Sequence, residues 1–142
     1  MPRSSAHDDV DLSQIWLFAP LTSRDLRKVR QSLDEVTADA GEVLTEEGAA
    51  GHEFFLIVKG NAAVKRKGRK VASLGPGQYF GELALLDRGP RSATIVAETD
   101  MELLVLEQRH FLGLLDTLPA MSRKLLGAMA TRLRESDKLA FG

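Results

Sequence analysis

The residues best suited to chemistry in this chain lie in the stretch FGELALLDRGPRSA, residues 80–93. Gly81 precedes Glu82 at its start, and Arg91 lies near its end. A glycine that leads into one helical turn exposes backbone N–H groups, which favour an anion, and an arginine can bind the same anion through two hydrogen bonds. A carboxylate repels a phosphate but accepts a hydrogen bond from a hydroxyl. An anion site beside a hydroxyl acceptor indicates a sugar phosphate or a nucleotide.

The composition excludes several other kinds of site. The 142-residue chain has no cysteine, which removes disulfides, thiolate catalysis and zinc–thiolate centres. Its three histidines, His7, His52 and His110, are scattered, so the histidine cluster of a metalloenzyme on a similar β-fold, such as a cupin, is missing. A formal net charge of −1 gives no field that would draw the chain to nucleic acid or to a membrane surface.

The sequence shows neither an export signal nor a membrane span. The N-terminus lacks the apolar segment of a secretory signal. No apolar run approaches the roughly 20 residues that cross a bilayer. We therefore expect a cytoplasmic protein that has no membrane partner and binds no nucleic acid.

Strand-length segments punctuated by glycine fill the middle of the chain. The apolar run Phe54–Val58 favours a buried strand, and Gly68 separates the two halves of a predicted hairpin. About eight short strands at this spacing predict a sandwich, a jelly roll or a barrel. Residues 1–10 are polar and predict a disordered tail, so that one domain covers residues 11–142.

Helix signals lie on both sides of these strands. Asp11 can cap a short helix that Pro20 ends, and Thr22 with Asp25 forms a weak capping box for a second helix. Pro119 suits the first turn of a longer helix, where its missing N–H costs nothing. We expect C-terminal helices over about residues 108–138.

The letters FGELALL followed by GPRSAT resemble the phosphate-binding cassette of the cyclic nucleotide-binding domain family. That family includes bacterial catabolite activator proteins, regulatory subunits of cyclic AMP-dependent kinase and cyclic nucleotide-gated channels. The match extends to Phe55–Gly60 and to the Pro76-Gly77 turn, and it covers roughly residues 15–138. The resemblance implies a mainly β, α+β fold: an antiparallel, jelly-roll-like β-roll of about eight strands over residues 35–107, with flanking helices and a short phosphate-binding helix.

The resemblance also implies roles for individual residues of this cassette, residues 80–93. Gly81 allows the strand-to-helix turn, and Glu82 accepts a hydrogen bond from the ribose 2′-hydroxyl. Arg91 pairs with an exocyclic oxygen of the cyclic phosphate, and Ser92 adds a hydroxyl to the phosphate or the base. The remaining implied contacts are backbone N–H groups and pocket walls: Leu83, Ala84, Ala93, Phe80, Val64, Val71 and Ala72.

The final helix carries further expectations. By resemblance to catabolite activator proteins, Arg132 and Ser136 lie near the point from which this helix reaches the base. An apolar stripe at a spacing of four residues runs along it: Met121, Leu125, Met129 and Leu133. We expect the stripe to pack on the roll, while a homodimer through this helix stays open. Leu139 and Phe141 are either a tail or an apolar lid over the base.

The implied function is a non-catalytic regulatory module that binds a cyclic nucleotide and moves its C-terminal helices in response. Cyclic AMP is the preferred ligand, and no metal or catalytic cofactor is implied. Two alternatives stay open: a cyclic GMP module, because Ser92 does not decide between the nucleotides, and a protein-interaction module with an unoccupied pocket. The chain shows none of the family's effector segments. We therefore expect an unknown effector protein as partner, for either a stand-alone protein or part of a longer one.

Overall fold

The computed structural model describes residues 10–87 and 89–141, with the backbone alone for residues 137–141. Two expected features lie outside this part of the chain: the disordered tail, of which only Val10 is described, and the lid formed by the side chains of Leu139 and Phe141. Among the described residues, no helix combines the length and the apolar character that a bilayer crossing needs.

Eight antiparallel strands form two four-stranded sheets in the described part of the chain. In chain order they are β1 Asp34–Ala38, β2 Val43–Thr45, β3 Glu53–Lys59, β4 Ala62–Arg66, β5 Arg69–Leu74, β6 Tyr79–Phe80, β7 Thr94–Ala97 and β8 Met101–Glu107. The first sheet has the order β1–β8–β3–β6, and the second has the order β2–β7–β4–β5. The predicted roll of about eight strands is confirmed.

The central strands β3 and β8 are buried on both faces, which explains their unbroken apolar runs. Phe54 and Leu56 face a core shared with the helices, here called the helix-side core. Phe55 and Ile57 face the opposite way, into a core between the two sheets, here called the inter-sheet core. Because successive side chains of a strand alternate between faces, one strand contributes to both cores.

Two short 3₁₀ helices and three α-helices complete the described fold: Leu12–Gln14, α1 Ser23–Gln31, Glu82–Leu85, α2 Gln108–Thr117 and α3 Pro119–Phe141. Asp11 caps the first of them by accepting a hydrogen bond from the Ser13 backbone N–H at 3.0 Å. The predicted capping box of α1 is confirmed, since Thr22 and Asp25 make both of its hydrogen bonds. The first helix is shorter than predicted, because turns replace it well before Pro20.

The apolar stripe of α3 enters the helix-side core along the first half of the helix. Met121 and Leu125 are buried there, and Met129 is half-buried. Leu133 keeps 65% of its surface exposed, and Leu126 keeps 64%. The prediction that the whole stripe packs on the roll is therefore wrong at Leu133, because the helix has by then passed the last residues of the core.

An ion pair fixes the first half of α3 to α1. The Lys124 ammonium lies 2.8 Å from Oδ2 of Asp25, which also belongs to the capping box. The hydrogen bond from Lys124 holds the pKa of the Asp25 carboxyl below its ordinary value of 3.8. A carboxyl whose pKa is lower in the folded state stabilises the fold above its unfolded pKa, and this contribution is lost as the pH falls through the folded pKa.

Lys124→Met is expected to lower the free energy of unfolding at pH 7 by about 0.5–1 kcal/mol, because the Asp25 carboxylate loses its partner. The difference from wild type should shrink as the pH falls below 3.8 and Asp25 becomes protonated in both proteins. Denaturant unfolding followed at several pH values measures it. Lys28→Met, at an exposed position of α1, is the matched control and should show no such pH dependence. A pH-independent cost of Lys124→Met would contradict the ion-pair account.

Candidate functional site

The first half of the cassette turns sharply from a strand into a helix. Phe80 ends β6 and pairs with Phe55 of β3. Gly81 then has a φ of 81°, in the left-handed region, before the 3₁₀ helix over Glu82–Leu85. A Cβ at Gly81 would lie 2.5 Å from Nη1 of Arg91 and 2.7 Å from the Glu53 carbonyl oxygen. Glycine is therefore required here both by the backbone conformation and by the close approach of Arg91.

The second half of the cassette is held by the loop before β3. The Arg91 backbone N–H donates to the Ala49 carbonyl, and the Arg91 carbonyl accepts from the Gly48 N–H, both at 2.8 Å. The Thr45 hydroxyl donates to the Ala93 carbonyl at 3.2 Å. These bonds fix the backbone on both sides of Arg91, so its side chain leaves from a defined position.

The Arg91 guanidinium is a half-buried cation. Its Nη2 donates to the Glu53 carbonyl oxygen at 2.9 Å, and its central carbon lies 5.9 Å from the centre of the Phe55 ring. Burial lowers the pKa of Arg91 below its ordinary value, although the negative charge of Glu53 opposes this effect. A lowered pKa means that the charged form is partly desolvated, so a nearby anion would stabilise it.

A cavity of about 280 Å³ opens between the two halves of the cassette. It collects eight of the predicted site residues: Phe80, Gly81, Glu82, Leu83, Ala84, Arg91, Ser92 and Ala93. Thr45, Asp87 and Ile95 also line it and were missed by the sequence reasoning. Thr45 and Ile95 belong to strands outside the cassette, and they reach the cavity only through the pairing of β2 with β7.

Three predicted pocket residues are not among those that line this cavity. Val64 is half-buried and packs against the inter-sheet core. Val71 keeps 55% of its surface exposed, and Ala72 is exposed beside it on β5, the edge strand of the second sheet. Their contacts with a ligand stay a prediction. Ser136 is exposed on α3 and also lies outside both cavity linings described here.

Glu82 joins this cavity to a second one of about 260 Å³ beneath α3. Its Oε2 accepts a hydrogen bond from Nε1 of Trp16 at 3.1 Å. The Arg132 guanidinium carbon lies 4.8 Å from the centre of the Trp16 ring, and Arg132 lines the second cavity together with Glu82. Sequence reasoning missed Trp16, because no local pattern relates it to a residue 66 positions away.

Together these groups place a half-buried cation and a carboxylate around one small cavity. A phosphate suits the cation, and a hydroxyl suits the carboxylate. The family model for the cyclic nucleotide-binding domain matches residues 35–117, which contain the whole cassette.

The chain belongs to the cyclic nucleotide-binding domain family. It is 39% identical over 102 residues to the cyclic AMP receptor protein of Thermus thermophilus, covering 68% of this chain and 47% of that protein. The chain spans less than half the length of this and the next curated relatives.

Solved structures agree with this membership. The N-terminal domain of a transcriptional regulator from Streptomyces coelicolor shares 34% identity with a TM-score of 0.84, covering 92% of this chain and 95% of that one. The regulatory domain of Toxoplasma gondii PKA, solved with cAMP, shares 29% identity with a TM-score of 0.71, covering 80% and 46%. The cyclic nucleotide-binding fold expected from the resemblance is thus confirmed.

Gly51→Ala is expected to expel the Arg91 guanidinium from its position, because a Cβ at Gly51 would overlap it. The loss of the bond to Glu53 should lower the free energy of unfolding by about 1 kcal/mol. In an Arg91→Ala background the same substitution should cost nothing, which a double-mutant cycle by denaturant unfolding measures. Gly113→Ala, a helix position with no atom within 4 Å of the added Cβ, is the control and should not destabilise. Equal costs in both backgrounds would contradict this placement of Arg91.

Proposed function

We propose that the chain is a non-catalytic regulatory module that binds cyclic AMP in the cassette cavity. The observation that carries the proposal is that Glu82 and Arg91, nine positions apart in the cassette, line the same small cavity. A cyclic nucleotide offers each of them a partner, since its phosphate is anionic and its ribose carries a free 2′-hydroxyl. Binding would bring counter-charge to the half-buried guanidinium of Arg91.

The polar side chains that line the cavity suit ligand binding better than catalysis. Asp87 uses Oδ1 to accept the Gly89 N–H at 2.9 Å, so its carboxylate closes a turn. The Thr45 hydroxyl is engaged with a backbone carbonyl. Glu82 holds the Trp16 N–H. The polar side chains of the wall are thus committed to building the site, while Arg91, Ser92 and the second carboxylate oxygen of Glu82 are the groups we assign to the ligand.

We propose cyclic AMP as the ligand in preference to cyclic GMP, because similar proteins are named for cyclic AMP or were solved with it. The Thermus thermophilus relative is named a cyclic AMP receptor protein, and the Toxoplasma gondii structure contains cAMP. A cyclic GMP module remains the alternative, because the exposed Ser92 hydroxyl at the cavity can serve either base. A protein-interaction module with an unoccupied pocket is the second alternative.

The signal would leave the site through α3. Its first half is fixed by Met121, Leu125 and the Lys124 ion pair, although Leu126 is exposed there, and its second half carries exposed Leu133. Leu126 offers an exposed apolar contact for an effector protein, whereas Leu133 lines the cavity between α3 and the cassette. We further propose that residues 11–142 act as one domain, since the N-terminal segment, the first sheet, α2 and α3 share the helix-side core. The proposal that this domain acts in the cytoplasm rests on the sequence.

Isothermal titration of the purified chain with cyclic AMP and cyclic GMP tests the ligand. Arg91→Ala is expected to weaken cyclic AMP binding at least 10-fold, which corresponds to about 1.4 kcal/mol, because the phosphate loses its charged partner. Arg69→Ala, an exposed position in the β4–β5 hairpin, is the matched control and should bind like wild type. Binding unaffected by Arg91→Ala would remove the site assignment, and no binding of either nucleotide at millimolar concentration would favour the interaction module.

Saturating cyclic AMP is expected to change amide hydrogen exchange in α3 from residue 127 onwards while leaving Met121–Leu125 unchanged. The reason is that the first half is packed in the core, whereas the second half faces the cassette across a cavity and contacts Trp16 through Arg132, so its seating can respond to the ligand. Hydrogen exchange followed by mass spectrometry measures this, with the Arg91→Ala protein as the unresponsive control. Identical exchange of the whole helix with and without nucleotide would refute a helix response.

A further inference from the structure

Trp16 lies outside the cassette, in a segment that the helix-side core holds in place. Its neighbours Ile15, Leu17 and Phe18 are fully buried in the helix-side core. The backbone turns tightly there, since Phe18 N–H donates to the Ile15 carbonyl at 2.9 Å. Trp16 itself is half-buried: its ring packs against this core, and its indole N–H reaches Glu82 of the cassette. The indole N–H is thus presented to Glu82 from a fixed position.

The Trp16 ring also contacts a residue of α3. The Arg132 guanidinium stacks 4.8 Å from the Trp16 ring centre. The two contacts strengthen each other, because a carboxylate on the indole N–H enriches the ring in electron density and so attracts a cation over its face. Arg132, Trp16 and Glu82 therefore form a continuous chain of contacts from α3 to the cassette.

The surrounding cavity shows where the helix and the cassette face each other. Leu83 and Leu86 of the cassette lie on one side, and Met129 and Leu133 of α3 lie on the other. An apolar gap of about 260 Å³ separates them. Beside this gap, Arg132 of α3 contacts the Trp16 ring directly, and Trp16 in turn donates a hydrogen bond to Glu82.

We propose that Trp16 is a positioning residue for Glu82, and that Arg132 makes this positioning depend on the seating of α3. The proposal rests on the proposed function, since it concerns how the ribose 2′-hydroxyl is read. A carboxylate has about four acceptor sites, so Glu82 can hold Trp16 on Oε2 and accept the hydroxyl on Oε1. Fixing one oxygen orients the other before the ligand arrives.

Reciprocity follows from linkage. If a seated α3 holds Glu82 in the orientation that the hydroxyl needs, then binding of the hydroxyl must favour the seated helix by the same factor. Cyclic AMP and its 2′-deoxy analogue differ in that hydroxyl alone. The analogue should therefore still bind through Arg91, and its dissociation constant should not change when Trp16 or Arg132 is replaced.

The test is the ratio of the dissociation constants for 2′-deoxy cyclic AMP and cyclic AMP, measured by isothermal titration. Trp16→Phe keeps a ring for Arg132 but removes the N–H donor, and it should reduce this ratio at least threefold through weaker cyclic AMP binding alone. Arg132→Ala should reduce it about twofold or more. Arg134→Ala, which removes the same charge from an exposed position of the same helix, should leave the ratio unchanged.

Three results would overturn the proposal. Equal weakening of both nucleotides by Trp16→Phe would make Trp16 merely structural. An unchanged ratio would show that Trp16 does not act on the hydroxyl site. Tighter cyclic AMP binding would mean that Trp16 competes with the ribose for Glu82 instead of orienting it.

A nucleotide-free measurement separates this proposal from the proposed function. Trp16 is the single tryptophan of the chain, so its fluorescence reports on this site alone. Glu82→Ala should shift the emission of the nucleotide-free protein, whereas Glu98→Ala, a carboxylate paired with Lys70 on the second sheet, should not. If wild type binds neither nucleotide while the shift is present, the proposed function fails and the Trp16–Glu82 contact stands. If the shift is absent, the positioning proposal fails whatever the protein binds.

Discussion

The half-buried guanidinium of Arg91 is the constraint around which the cassette is built. Moving a cation away from water costs free energy, and burial accordingly lowers its pKa. The chain offsets part of this cost with the Glu53 carbonyl and the face of the Phe55 ring. It makes room for the side chain with glycine at Gly51 and Gly81. An anion in the cavity would supply further counter-charge, which is why we regard the site as built for a phosphate.

Strand β3 connects this site to the rest of the molecule. Its first residue provides the carbonyl that holds Arg91, and its next residues alternate between the two cores, with Phe54 on the helix side and Phe55 between the sheets. The helix-side core then carries Trp16 and the first half of α3. The Arg91 side of the cavity is therefore supported by the start of β3, and the Glu82 side is supported by Trp16 and the helix-side core.

Features decided by neighbouring residues could be predicted from the sequence, and features decided by distant packing could not. The capping box of α1, the β4–β5 hairpin and the cassette turn are all local. The contact between Trp16 and Glu82 joins residues 66 positions apart, so no spacing rule finds it. The exposure of Leu133 depends on where the core ends, and the role of Gly51 depends on where the Arg91 side chain lies. The resemblance predicted Val71 as a pocket residue, but the strand that carries it lies at a sheet edge, and its contact with a ligand stays a prediction.

In the proposed function, the phosphate of a cyclic nucleotide binds the Arg91 guanidinium. Nuclear magnetic resonance of the arginine side-chain Nε–H groups tests this directly, with the Arg91 signal assigned from an Arg91→Lys protein. We predict that cyclic AMP shifts the Arg91 signal in a saturable way at one nucleotide per chain and leaves the signal of Arg69, exposed in the β4–β5 hairpin, unchanged. An Arg91 signal that stays in place at saturating nucleotide would show that the phosphate does not bind this guanidinium.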